Sequence, residues 1–404
     1  MPVFVHERLD PNEQFRDRRD RHRRRHRRRR NALIAVLLLA GAAAPIAVFV
    51  SGGGGSRAAS HFEAPAVVQP ATPAVVRPKP KPVPRALPKE IRGVHVTMSL
   101  ASLPGRLEQY FGLRQYGLNT VELDVKDESG QVGFVSRYAP DAGAIGAAKT
   151  YYDPALAART AHGLGIYLIG RVVVFEDPLL ARARPQHALR HADGRPWANS
   201  AGLGWVSQYD RGVWKYVVDV AESAARAGFD EIQFDYVRFP SDGDVSSIVY
   251  PGRRLEPMAT TIRRFLQYAV ARLRPLGVRV SADLFGLAAT HELQIGQAPQ
   301  GIGRTVDAIY PMVYPSHYSS GEFNLIDPEA APGETVGLSL ADFKRAVGTG
   351  RARIVPWIQD FSLRRTYTLF EVRQQIAAAR AAGVAGFMLW NARGVYTTEA
   401  LRPR

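Results

Sequence analysis

The sequence contains no cysteine. That absence excludes disulfides, a thiolate nucleophile and any cysteine-ligated metal, so a packed core must hold the fold and oxygen and nitrogen groups must carry the chemistry. Two phosphate-cradling motifs are missing as well. No Gly-x-Gly-x-x-Gly follows the first strand pattern, and no Gly-x-x-x-x-Gly-Lys-Ser/Thr occurs anywhere, which removes the usual signs of a dinucleotide or nucleoside-triphosphate site. Acidic residues are also in deficit, 37 against 53 basic ones, for a formal charge of +16.

The deficit is local. Residues 1–30 hold 12 arginines against 5 acidic side chains, and residues 51–90 hold 6 basic against 2 acidic; only +5 is left for residues 91–404. The run Arg21 to Arg30 is followed at once by Ala32 to Val50, nineteen residues without a charge. A helix needs about 20 apolar residues to cross a bilayer. Clustered cations beside such a span stay cytoplasmic and set its direction. The expected topology is therefore a single-pass plasma-membrane protein with a basic cytoplasmic tail (1–31), an anchor (32–50) and an extracytoplasmic remainder. A cleaved signal peptide competes, given the small residues Ala42 and Ala44, but the basic region is long for one and Pro45 sits where cleavage needs an ordinary residue. Anionic headgroups and topology account for the arginines without nucleic acid.

Residues 51–88 pass from a glycine run (Gly52 to Gly55) to a proline-rich stretch (Pro65, Pro70, Pro73, Pro78, Pro80, Pro82, Pro84, Pro88). This is the composition of a linker, flexible first and stiffer later. With 46% hydrophobic and 22% charged residues, the rest is ordinary globular material, long enough for one large domain at 89–404.

That domain alternates short β-branched runs with helical patterns. Eight strands are expected, at Ile91–Met98, Thr120–Asp127, Ile166–Phe175, Glu231–Phe239, Val278–Leu284, Val306–Tyr314, Arg353–Gln359 and Val384–Trp390. Between them, sets such as Val213, Val217, Val220, Ala221 and Ala224 fall on one helix face. Thr368 and Glu371 form a capping-box pattern, with Gly383 ending that helix. Eight βα units in this length predict a (β/α)8 TIM barrel, preceded by a single transmembrane helix and the Gly/Pro-rich linker; an open doubly wound sheet is the alternative.

In a barrel the carboxyl ends of the strands line the active site, and alternation selects the inward side chains. It turns Glu122, Asp124 and Lys126 inward on the second strand, Tyr167, Ile169 and Arg171 on the third, Gln233 and Asp235 on the fourth, and Ser281 and Asp283 on the fifth. Buried carboxylates are costly unless paired, so a cluster on three strands calls for a reason. An ion-pair network that merely closes the barrel suits Glu122. Asp235 instead stands at a strand end before Tyr236, Arg238, Phe239 and Pro240, a polar and aromatic rim. Tyr310, Tyr314, Trp357 and Trp390 recur at other strand ends, where their rings suit the apolar faces of sugars, and Gln359 and Asn391 suit the hydroxyls. His187, His191, Asp193 and His291 lack ligand-like spacing. No metal or cofactor is expected.

Residues 91–396 resemble the bacterial family described as Putative glycosyl hydrolase domain. The runs that carry the resemblance are Ile91 to His95; Glu122 to Asp127 with Ser129 and Gly130; Gly170 to Phe175; Gly228 to Pro240, the most specific; Tyr310 to Ser316; and Trp357 to Phe361. The resemblance implies a barrel, a glycosidase-type site and an envelope location. Glycosidic cleavage takes two carboxyl groups. The expected pair is Asp235 and, on the adjacent strand, Asp283, with Glu176, Asp124 and Asp360 behind it as alternatives. Adjacent strands lie about 4.8 Å apart, near the roughly 5–5.5 Å carboxyl separation of retaining enzymes. Arg171, Arg238 and Lys126 are expected to hold the nucleophile ionised, and His95 to donate to a sugar hydroxyl. Asp124, Arg171, Glu176, Gln233, Arg238, His95 and the aromatic and amide set above complete the expected substrate site for a cell-envelope or extracellular polysaccharide. A barrel that binds glycan for wall attachment without cleaving it is the alternative; what separates the two is a second carboxylate opposite Asp235.

Overall fold

The strands form where β-branched and aliphatic residues alternate with inward polar ones. In β2 (Thr120–Lys126) Val121, Leu123 and Val125 are fully buried in the layer shared with the helices. A computed structural model describes residues 82–252 and 256–403. Its other strands are β1 (Ile91–Val96), β3 (Tyr167–Val173), β4 (Glu231–Asp235), β5 (Arg279–Phe285), β6 (Ala308–Met312), β7 (Arg353–Ile354), β8 (Trp357–Gln359) and β9 (Gly386–Trp390). All pairings between them are parallel. The sheet runs β5-β4-β3-β2-β1-β9-β8-β6 and closes through β5 and β6.

Nine segments fill eight barrel positions. β7 and β8 share the seventh, and β6 pairs with both, Ala308 with Arg353 and Met312 with Trp357. The expected continuous strand is interrupted by Val355-Pro356, because a proline has no N–H for the ladder. The fourth strand is also shorter than expected. It stops at Asp235 because Tyr236 has φ +49°, a left-handed conformation that costs a non-glycine residue of order 1–3 kcal/mol.

The principal helices are α1 (Arg106–Gly112), α2 (Pro154–Gly163), α3 (Arg211–Ala227), α4 (Met258–Leu273), α5 (Pro299–Gly303), α6 (Pro332–Val347) and α7 (Leu369–Ala381). Their ends follow local chemistry. The Asp210 side chain accepts the Gly212 N–H at the start of α3, and Gly228 ends that helix at φ +109°. Thr368 and Glu371 close a reciprocal capping box on α7.

Two cores result. One lies between strands and helices; the other fills the barrel's lower interior with Ile91, Tyr167, Ile169, Ala308, Tyr310, Val355, Trp357 and Met388. In that lower core Glu231 accepts hydrogen bonds from the Tyr167 and Tyr310 hydroxyls, each at 3.0 Å. Residues 82–90 lie against the barrel. Pro82 packs on Gly277, Arg279 donates to the Arg85 carbonyl, and Leu87 joins the lower core.

At the opposite end, the segments after β3 and β4 build a wall: a bridge between Glu176 and Trp205 folds the first segment on itself, and one between Arg190 and Val249 ties it to the second. The four residues with possible ligand character are dispersed: His187 meets Asp210, His191 meets Ser247, His291 meets Glu322 and Asp193 meets Arg195. Among the described residues no helix is long and apolar enough to cross a membrane; the span expected at 32–50 lies outside them.

Candidate active site

The site begins with the register of β3, β4 and β5. Arg171 stands beside Gln233, and Gln233 beside Ser281; continued two residues along the strands, the same register sets Asp235 next to Asp283. Asp235 is held entirely by donors. Its Oδ2 accepts from Arg171 Nε at 3.0 Å and Nη2 at 2.7 Å, and its Oδ1 from the Tyr236 backbone N–H at 2.7 Å.

Asp283 has a different environment. Its Oδ1 accepts from the Trp357 indole N–H and from Gln233 Nε2, both at 2.7 Å. Burial, with the neighbouring Asp235 charge, pushes its carboxyl well above the ordinary range against the opposing pull of Trp357, Arg171 and Gln233. Two carboxyl groups side by side thus occupy unlike settings, one gripped by a guanidinium and one favouring its neutral form.

Arg171 also reaches back. Its Nη1 donates to Asp124 Oδ1 at 2.8 Å, and His95 Nε2 meets the same oxygen at 2.9 Å. Burial of Asp124 opposes ionisation, but the His95 and Arg171 charges and hydrogen bonds outweigh it, bringing its carboxyl down to about 2. Beside it, Glu122 is fully buried and neither carboxyl oxygen has a hydrogen-bond partner among the described residues; His95 Nε2 lies 3.8 Å from its Oε2, too far for a hydrogen bond. Burial first, then the Asp283, Asp124 and Asp235 charges, push the Glu122 carboxyl well up.

Above this cluster opens a cavity of about 180 Å³, bordered by Arg171, Asp235, Tyr236, Arg238, Asp283, Phe285, Gly286, Leu287, Met312, Tyr314, His317, Tyr318, Trp357 and Trp390. Trp390 lies parallel to the His95 ring, centroids 4.6 Å apart, and edge-on to Trp357 at 5.5 Å. The lining joins two carboxyl groups to several aromatic faces, the combination that carbohydrate binding requires.

Residues 93–396 match the model of the family described as Putative glycosyl hydrolase domain. The chain belongs to this family. Its glycosyl hydrolase barrel also resembles solved structures. A hypothetical protein from Ruminiclostridium thermocellum ATCC 27405 is 34% identical over 47% of this chain and 96% of that one, with a TM-score of 0.43. The glycoside hydrolase domain of PgaB (BpsB) from Bordetella bronchiseptica is 14% identical over 76% of this chain and 95% of that one, with a TM-score of 0.55; at that identity the likeness is one of fold. No curated protein matches the sequence.

Within this glycosyl hydrolase domain the expected site residues divide. Asp235, Asp283, Arg171, Arg238, Tyr314, Trp357 and Trp390 border the cavity. Asp124, His95 and Gln233 stand behind it and hold those that do. The remaining ones are engaged elsewhere. Tyr310 is bonded to Glu231 in the lower core. Gln359 is spent on the Ser316 N–H and the Phe361 carbonyl, and Asn391 on the Asp360 carbonyl and the Arg393 N–H. Glu176 accepts from Asn199 in the wall, 23 residues on in sequence. Asp360, an alternative second carboxylate, is tied to Thr397 by its N–H and hydroxyl, and burial raises it to about 6.

Two of the three cations expected to face Asp235 do not touch it. Between Asp124 and Lys126 the register with β3 slips by one residue, a bulge that redirects the strand. Lys126 Nζ instead meets the Val173 carbonyl at 2.9 Å and Asp177 at 3.0 Å. Arg238 bonds the Phe239 carbonyl and Ser241. The cavity residues that sequence reading missed, Phe285 to Leu287, Met312, His317 and Tyr318, lie at strand ends or just beyond them. The aromatic run Tyr314-Pro315-Ser316-His317-Tyr318 was the available signal.

Proposed function

We propose that the protein is a membrane-anchored, extracytoplasmic glycoside hydrolase that cleaves a cell-envelope or extracellular glycan with retention, using Asp235 and Asp283. The observation that carries the reading is the unlike pair itself, a neutral-leaning carboxyl beside a guanidinium-held one in an aromatic cleft. The Asp283 proton passes to the glycosidic oxygen as the bond to the anomeric carbon breaks, and Asp235 takes that carbon as a covalent ester. Asp283, now ionised, then accepts a proton from water, whose oxygen displaces Asp235 and completes hydrolysis. Arg171 positions Asp235, while Gln233 and Trp357 position Asp283. Strand spacing of about 4.8 Å supports retention. Residues 32–50 supply the anchor, and the linker carries the barrel clear of the bilayer.

The test is time-resolved proton NMR of the sugar released from a panel of envelope and storage glycans. The first-formed product should keep the anomeric configuration of the cleaved bond. Inversion would remove the covalent step, and release from none of the glycans would leave the carbohydrate-binding alternative.

A further inference from the structure

Arg238 is a buried cation with no ion-paired anion among the described residues. It is 3% exposed, yet among the described residues no carboxylate forms an ion pair with it. Among the described residues only its Nη1 is engaged, with the Phe239 carbonyl and Ser241 Oγ, each at 3.1 Å. The guanidinium carbon lies 5.0 Å from the Trp205 ring centroid, 5.0 Å from Tyr236 and 4.6 Å from Phe285. Those ring faces offset part of the desolvation of the charge and fix the plane of the fork. They do not neutralise it.

The contrast with Arg171 is instructive. That guanidinium borders the same cavity and is ion-paired with Asp124, Asp235 and, at 3.7 Å, Glu128. Arg238 reaches the cavity because the left-handed turn at Tyr236 ends β4 and returns the chain, so that residues 235, 236 and 238 all border one space. A guanidinium carries five N–H donors in a fixed fork. Here those on Nε and Nη2 have no hydrogen-bond partner among the described residues. A planar anion matches such a fork better than a hydroxyl does, and a charge-assisted bond is roughly twice as strong as a neutral one.

We infer that Arg238 is a subsite for a carboxylate on the substrate, so that the glycan this cleft takes is acidic and carries a carboxylated sugar next to the bond held between Asp235 and Asp283. The inference rests on the carbohydrate reading of the cleft, but not on turnover. It assigns Arg238 to substrate selection rather than to ionising Asp235.

The experiment is calorimetric titration of the full-length protein with three matched pairs: glucuronate against glucose, galacturonate against galactose, and N-acetylmuramate against N-acetylglucosamine. At least one acid should bind at least tenfold more tightly than its neutral partner. In Arg238→Met, which keeps the apolar stem among the rings, that ratio should fall to near one while the neutral sugar is bound as before. Should that variant unfold, Arg238→Lys keeps the charge and loses the fork, and the ratio should drop part-way. No acid preference in the wild type, or a preference unchanged in both variants, overturns the inference. An acid preference in a wild type that hydrolyses none of the glycans would count against the catalytic reading alone.

Discussion

Arg171 grips Asp235 through two nitrogens on one oxygen, Nε at 3.0 Å and Nη2 at 2.7 Å from Oδ2, and with its third nitrogen holds Asp124 at 2.8 Å. One buried guanidinium therefore balances two buried carboxylates from different strands. Arg171→Met leaves both without that partner. Breaking a buried pair costs about 3–5 kcal/mol, and a loss of that size is expected in the denaturant midpoint. Arg171→Lys should fold better and still lose turnover, since a single ammonium cannot span both acids. Equal stability of Arg171→Met and wild type would show that the pairing is not structural.

Glu122 provides a pH test of stability. Its carboxyl lies well above 4.5 in the folded chain because burial favours the neutral form. Between its unfolded and folded values the folded state holds the extra proton, so this group's contribution is complete below about 4.5 and is lost as pH rises through the folded value. The slope is about 1.4 kcal/mol per pH unit inside that window. Glu122→Gln mimics the neutral acid and should flatten the slope, with stability at pH 8 equal to or above wild type. A variant less stable than wild type at high pH would mean that Glu122 works as an anion.

On the proposed mechanism, Asp283 sets the alkaline limb of activity. A general acid must carry its proton, and burial together with Asp235 raises this carboxyl well above 3.8. The rate kcat/KM should fall as pH rises through that raised value. Trp357→Phe removes a hydrogen bond that favours the charged form, so it should move the limb to higher pH. A shift to lower pH would reverse the assignment.

Topology has a separate readout. A reporter fused after Arg404 that is active only outside the cytoplasm should be active, and one active only in the cytoplasm should be silent. The opposite pattern would place the barrel inside and defeat the anchor reading of residues 32–50.

Much of the barrel was legible because alternation is a local property. Val121, Leu123 and Val125 on one side and Glu122 and Asp124 on the other follow from a two-residue period, as do Gln233, Asp235 and Asp283. What alternation does not encode is where it stops. The slip after Asp124 sent Lys126 to Asp177, and Pro356 split the seventh strand. Nor does strand-end position separate a cavity wall from a buried clamp: Trp390 borders the cleft, while Asn391 next to it closes a turn. Tyr318 and Leu287 lie in loops, where no period points to them. Arg238 was visible as a rim cation, but its want of an acid partner depends on three rings brought together from distant positions 205, 236 and 285.

The central claim is that Asp235 and Asp283 act as one carboxyl pair, and kinetics of Asp235→Asn and Asp283→Asn on a glycan cleaved by the wild type test it most directly. Each single variant should keep its fold and its affinity for the glycan within a few-fold while kcat falls by at least about 10³, since acid–base assistance alone is worth about 10²–10⁴. The double variant should be scarcely worse than either single one, because both act in one step. Unchanged turnover in either single variant would remove that residue from the pair and contradict the account.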